Sequence, residues 1–198
     1  MIGLINYGAG NLRSISQAIT VLGYEARIIS SPEEAEGIKK LIIPGVGSFG
    51  AALSEIRRRN LENFVRDWLT DKKPLLGICL GLQLLCESSE ESPTESGFGI
   101  FPGRCRKIRA GKIPHTGWNS VKIINNDPIF DGFAGDEKFY FVHSFSRLEI
   151  DCFSLALTEY GETFSSVLKR DSTYACQFHP EKSGASGLNF LRNWVEKC

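Results

Sequence analysis

The sequence predicts an α/β fold: a mostly parallel sheet covered by helices on both faces, with antiparallel strands added in the C-terminal half. Two observations carry this prediction. From Met1 to Cys86, short apolar runs alternate with segments of helical periodicity, the order that builds a parallel sheet. From Phe101 onward the chain is a series of strand-like segments separated by turn residues, the pattern of hairpins. The 198 residues, 42% hydrophobic and 23% charged, suit a single domain spanning 1–198 with a full core.

Met1 to Asn6 reads as a buried strand that breaks at Tyr7-Gly8-Ala9-Gly10. Leu12, Ile15, Ile19 and Leu22 then mark one face of a helix, which Gly23 ends. Glu25 to Ile29 and Leu41 to Ile43 are the next strands, the latter stopped by Pro44-Gly45. Leu53, Ile56, Leu61, Phe64, Val65, Trp68 and Leu69 trace one or two helices. Pro74 to Ile78 is an apolar strand leading into Cys79, and Leu80 to Cys86 starts another helix. Glu87 to Gly97 is polar and Ser-rich and reads as a mobile surface loop.

In the second half, Phe101–Ile108, Trp118–Ile124, Lys138–Val142, Phe153–Thr158, Thr163–Lys169 and Thr173–Phe178 read as strands. Turns at Tyr160-Gly161 and Asp171-Ser172 join several of them as hairpins. Leu188, Leu191, Trp194 and Val195 mark a closing helix.

Composition narrows the function classes. Lys plus Arg and Asp plus Glu number 23 each, giving a formal net charge of zero, which argues against nucleic acid as the main ligand. Cys79, Cys86, Cys105, Cys152, Cys176 and Cys198 are scattered without a CxxC pair. They read as reduced thiols of a cytosolic protein, not as a disulfide framework or a zinc site. No residues are assigned to a metal, and no cofactor is called for. The N-terminus lacks the positive segment of a signal peptide, and no apolar stretch approaches the roughly 20 residues of a membrane span. The expectation is a soluble cytoplasmic protein without membrane or nucleic-acid partners.

The most informative segment is Gly77-Ile78-Cys79-Leu80-Gly81, a G-x-C-x-G turn between a buried strand and a helix. It is the cysteine counterpart of the nucleophile elbow of hydrolases. The turn is sharp, so the residues two positions either side of the nucleophile must lack side chains. The thiol then stands at a helix N-terminus, where the dipole favours a thiolate, and the Leu80 N–H can help hold an oxyanion.

His179 ends the last predicted strand, in Gln177-Phe178-His179-Pro180-Glu181. Glu181 is close enough to hydrogen-bond one ring nitrogen if the chain turns, leaving the other to take the thiol proton. His115 and His143 read as structural or surface residues. The glycine-rich Pro44-Gly45-Val46-Gly47-Ser48-Phe49-Gly50 lets backbone N–H groups approach a ligand, although an ordinary strand-to-helix turn has the same composition. Both this loop and the Cys79 turn leave strand carboxyl ends, where the crevices of open α/β sheets lie.

GICLGLQLL at 77–85 with QFHPEKS at 177–183 resembles the class I, triad-type glutamine amidotransferases. NYGAGN at 6–11, PGVGSFG at 44–50 and HTGWN at 115–119 narrow the resemblance to glutaminase subunits of imidazole glycerol phosphate synthase. The resemblance spans essentially the whole chain. It implies a flavodoxin-like, open twisted sheet, with glutamine as substrate and Cys79, His179 and Glu181 as catalytic residues. It places Gly47 and Leu80 at the oxyanion, and Gly47, Gln83, Ser144 and Phe145 against glutamine. Family members often carry Tyr where this chain has Phe145. It also implies a heterodimer with a (βα)8-barrel cyclase that receives the ammonia, docked over Asn11, Trp118, Tyr140 and Lys182. For Trp118, ordinary core packing is the competing expectation.

Two other readings start from the same motifs, and a third, a non-catalytic binding module that keeps the fold, is opposed by the presence of Cys79, His179 and Glu181 together. A paralogous glutaminase would feed ammonia to a sugar-modifying synthetase. A stand-alone cysteine hydrolase would use the same elbow on peptides or γ-glutamyl chains.

Overall fold

The computed structural model describes residues 1–198, the side chain of Asp136 excepted. In chain order the first half runs β1 (Ile2–Ile5), α1 (Leu12–Val21), β2 (Ala26–Ile29), β3 (Lys40–Ile43), α2 (Phe49–Arg58), α3 (Leu61–Thr70), β4 (Leu75–Ile78), α4 (Leu80–Leu85) and β5 (Cys86–Ser89). The second half runs β6 (Phe101–Lys107), β7 (His115–Ile123), β8 (Asp136–His143), β9 (Phe145–Arg147), β10 (Ser154–Tyr160), β11 (Glu162–Arg170), β12 (Thr173–Cys176) and α5 (Gly184–Lys197).

A nine-stranded sheet has the order β2-β1-β3-β4-β12-β11-β10-β7-β8. From β2 to β12 neighbours are parallel; from β12 to β8 they are antiparallel. The first four strands and β12 have four residues each, and β1, β4 and β12 are buried throughout. Such strands serve two cores at once, because successive side chains point to opposite faces. Leu4, Ile42, Leu76 and Ile78 pack with Ile15 and Ile19 of α1 and with Phe190, Leu191 and Trp194 of α5. Ile5, Leu41, Ile43 and Leu75 pack on the other face with Leu53 and Ile56 of α2, Val65 and Trp68 of α3 and Leu82 of α4. Helices therefore cover both faces. A separate three-stranded sheet, β5-β6-β9, lies beside the main one.

The segment expected to be a mobile loop, 87–97, is instead tied down. Its first residues belong to β5, which pairs with β6. Glu91 Oε2 accepts from Phe49 N at 2.7 Å and Ser92 Oγ from Gly50 N at 3.1 Å. These are N–H groups of the first turn of α2, which have no partner within the helix. Two of the polar side chains that suggested solvent exposure, Glu91 and Ser92, therefore cap a distant helix.

The parallel strands β1, β3, β4 and β12 end on the same side of the sheet. The loops that follow them are 6–11, 44–48, the Cys79 turn and 177–183.

Candidate active site

Cys79 follows β4 directly and has φ 51 and ψ −101, a left-handed conformation costly for a side-chain-bearing residue. The surrounding glycines show why it is tolerated. A Cβ on Gly81 would overlap the Ile43 carbonyl oxygen, and one on Gly45 would overlap the Ile78 carbonyl oxygen. A Cβ on Gly77 would lie 2.7 Å from Leu85 Cδ1 and 2.8 Å from the Gly81 backbone. The elbow and the 44–48 loop are thus pressed together backbone to backbone. Cys79 N donates to Cys176 O at 2.7 Å, which fixes the turn against β12.

The end of β12 is fixed as firmly. His179 N donates to Tyr140 O at 2.9 Å, and Ser183 Oγ donates to His179 O at 2.6 Å while accepting from Tyr140 N at 2.9 Å. Pro180–Lys182 forms a 3-10 turn, which folds Glu181 back under the imidazole. His179 Nδ1 donates to Glu181 Oε1 at 2.9 Å, and both side chains are buried. Nε2 of His179 is buried and makes no hydrogen bond among the described residues. Burial opposes a positive charge on this ring, but the neighbouring Cys79 sulfur and then the Glu181 carboxylate outweigh it, and the pKa is pushed up to about 10. The Cys79 sulfur lies 3.7 Å from Val142 O and accepts from Gln177 Nε2 at 3.5 Å. Chemically this is a thiol paired with an oriented base, able to attack an acyl carbon and return a proton to the leaving group.

A cleft of about 320 Å³ opens over Cys79. Gly47, Leu80, Gln83, Ser144 and Phe145, all anticipated from the sequence, line it. Gly47 has φ 109, open to glycine but strained for other residues. Gln83 Nε2 donates to Phe145 O at 3.0 Å.

Four lining residues escaped the sequence reading: Glu91, Pro114, Val142 and His143. Glu91 sits in the polar run taken for a loop, and no local signal separates it from its neighbours. Cys176 and Cys105, by contrast, are wholly buried, and their pKa values lie well above the usual thiol range. Burial does this first for Cys176, and the neighbouring Cys86 thiol first for Cys105.

The residues anticipated for a docking face also fall together. Trp118 is 57% exposed, so core packing does not explain it. It lies opposite Tyr140 across β7 and β8, ring centroids 6.2 Å apart. Lys182 Nζ stands 5.9 Å from the Tyr140 ring. Asn11 reaches inward instead, its Nδ2 3.5 Å from Glu181 Oε1.

The family model for class-I glutamine amidotransferases matches residues 3–198. The chain belongs to this family. Among its relatives, the subunit HisH of imidazole glycerol phosphate synthase from Methanothermobacter thermautotrophicus is 44% identical over 197 residues, covering 99% of this chain and 98% of the relative. The protein of the same name from Methanocaldococcus jannaschii is 45% identical over 199 residues, with 99% of each chain covered. A crystal structure of a glutamine amidotransferase shares the fold with a TM-score of 0.79 at 21% identity, covering 98% of this chain and 97% of that one. The PurLQS structure from Thermotoga maritima does so at 0.78 and 20% identity, covering 98% and 96%. In this amidotransferase the fold expected from the sequence is present. Among the described residues no helix is long and apolar enough to cross a membrane.

Proposed function

We propose that this amidotransferase is the glutaminase subunit of an imidazole glycerol phosphate synthase. Its Cys79 would cleave the glutamine side-chain amide and pass the ammonia to a (βα)8-barrel cyclase. The observation that carries the reading is Cys79 on its left-handed elbow, at the floor of a cleft, beside a buried His179–Glu181 pair at 2.9 Å. Full-length identity of 44–45% to proteins named as that subunit supports the choice of pathway.

In this mechanism the Cys79 thiolate attacks the carboxamide carbon, and the oxyanion is met by N–H groups of Leu80 and of the Gly47 loop. The C–N bond breaks as His179 donates its proton to the leaving nitrogen, and a γ-glutamyl thioester remains on Cys79. Water, deprotonated by His179, hydrolyses the thioester to glutamate, restoring the free thiol. Glu181 holds the imidazole tautomer and balances its charge. Glu91 and Gln83 supply polar groups at the cleft wall suited to the ammonium end of the amino acid, and Ser144 and Phe145 supply backbone groups. Asn11, Trp118, Tyr140 and Lys182 form the docking face. Ammonia is mostly protonated in neutral water and so is a poor nucleophile there, which gives direct transfer between subunits a purpose.

The test is co-purification with a candidate barrel cyclase, then glutamate release with and without the cyclase's ligand. Complex formation with ligand-stimulated release is expected. Release only with a sugar-modifying synthetase, or cleavage of peptides without any partner, would overturn the assignment.

A further inference from the structure

His115 and His143 face each other across β7 and β8, both buried, and the chemistry above uses neither. His143 Nδ1 lies 3.0 Å from the Phe145 carbonyl oxygen, which can only accept, so Nδ1 carries a proton. Burial lowers the pKa of His115 to about 4. Burial and then the charge of His115 lower that of His143 to about 3. Each ring is therefore neutral near pH 7 and holds one proton. The bare Nε2 of His143 then accepts from His115 Nδ1 at 3.0 Å, which leaves His115 Nε2 bare.

The other end gives the same answer independently. Ser120 N donates to Asn119 Oδ1 at 2.8 Å, and Asn119 Nδ2 donates to Glu159 O at 2.9 Å, which orients the amide. The same Nδ2 lies 3.2 Å from His115 Nε2, which must accept. The bonds thus run one way, from Asn119 through both rings to Phe145 O. The His115 ring is stacked between Tyr160 and Phe141, centroids 3.9 and 4.7 Å away. Gln83 donates to the same Phe145 carbonyl at 3.0 Å. With two donors on that oxygen, the peptide cannot turn without breaking both bonds.

We propose that His115 and His143 are positioning residues, a one-way relay that fixes the Ser144–Phe145 wall of the glutamine pocket and ties it to Asn119, beside the exposed Trp118. The proposal rests on the reading of the Cys79 cleft as a glutaminase site. Core filling alone would require the rings' shape but not their nitrogens. All four ring nitrogens are engaged, and the relay ends on the wall itself.

The test measures glutamate release by the full chain, alone and with a barrel cyclase, for His143→Phe, His143→Asn, His143→Gln and His115→Phe. His143→Phe keeps an aromatic ring but removes both bonds. Its KM for glutamine should rise roughly tenfold, the scale of one buried hydrogen bond, with kcat within about threefold. His143→Asn places an amide N–H near the former Nδ1 and should recover most of that loss. His143→Gln does not, and it serves if the Phe variant fails to fold. His115→Phe should raise KM by about threefold. Long-range 1H–15N spectra of the unmodified chain should show both rings protonated at Nδ1. An unchanged KM in His143→Phe and His143→Gln, a fall confined to kcat, or a His143 protonated at Nε2 would overturn the relay. If the unmodified chain releases no glutamate under any condition, the glutaminase reading fails instead. The ring tautomers then decide the relay by themselves.

Discussion

His179 follows β12, the strand at which the sheet switches from parallel to antiparallel pairing, whereas His115 and His143 lie within the antiparallel strands β7 and β8, and their protonation is pulled in opposite directions. His179 stands between a sulfur and a carboxylate, with its pKa raised from 6.5 to about 10. His115 and His143 sit in the antiparallel half among aromatic rings, lowered from 6.5 to about 4 and about 3. The parallel half is built of four-residue strands, of which β1, β4 and β12 are buried throughout, and the loops after their carboxyl ends carry Cys79 and His179. The antiparallel half has longer strands, buried on both faces in the middle of β11 but partly exposed along β7. It supplies the pocket wall and the exposed Trp118.

The comparison can be broken most sharply on the parallel side. Replacing Cys79 or His179 by Ala should cost on the order of 10⁶ in turnover, and Glu181→Gln less, about 10⁴, measured as glutamate release at saturating glutamine. Equal, mild losses in all three would show that these residues do not act as a unit. Gly81→Ala puts a Cβ into the Ile43 carbonyl, with backbone rather than a flexible side chain in the way. It should destabilise the fold by about 1–3 kcal/mol or more, seen as a lowered urea midpoint.

The antiparallel side should answer differently. Trp118→Ala should change the stability of the isolated chain by no more than about 0.5 kcal/mol. It should still weaken capture of the barrel partner by about 2 kcal/mol, read by titration calorimetry. A variant whose stability falls well beyond that while capture is unchanged would return Trp118 to a purely structural role.

The smallest effect is the pH dependence of stability, and its sign differs between the halves. His179 is raised, so its contribution is complete below about pH 6.5 and is lost as the pH climbs through about 10. His115 and His143 are lowered. Their contribution is complete above about pH 6.5 and is lost as the pH falls through about 4 and 3. Urea midpoints across pH should show the acid loss flattened by His143→Phe and the alkaline loss flattened by His179→Ala.

The two halves were also unequally legible in the sequence. Cys79 could be read because its constraints are local: the glycines at 77 and 81 are demanded by backbone crowding within one turn. His179 and Glu181 lie two residues apart, so their bond also follows from a short stretch of chain. The helix faces and most strands came from periodicity in the same way. Glu91 was hidden because its partner, the N-terminus of α2, lies 42 residues away. The short strands β5 and β9 carry no alternation of their own and exist only through β6. The His115–His143 relay joins residues 28 apart, with a carbonyl as its terminus, and a carbonyl leaves no trace in residue type.

The central claim is tested most directly by treating the full chain with a glutamine-derived chloroketone and locating the adduct by mass spectrometry. A single adduct on Cys79 is expected, suppressed by excess glutamine and strongly slowed by His179→Ala. Modification elsewhere, or labelling of Cys79 that glutamine does not suppress, would contradict the account.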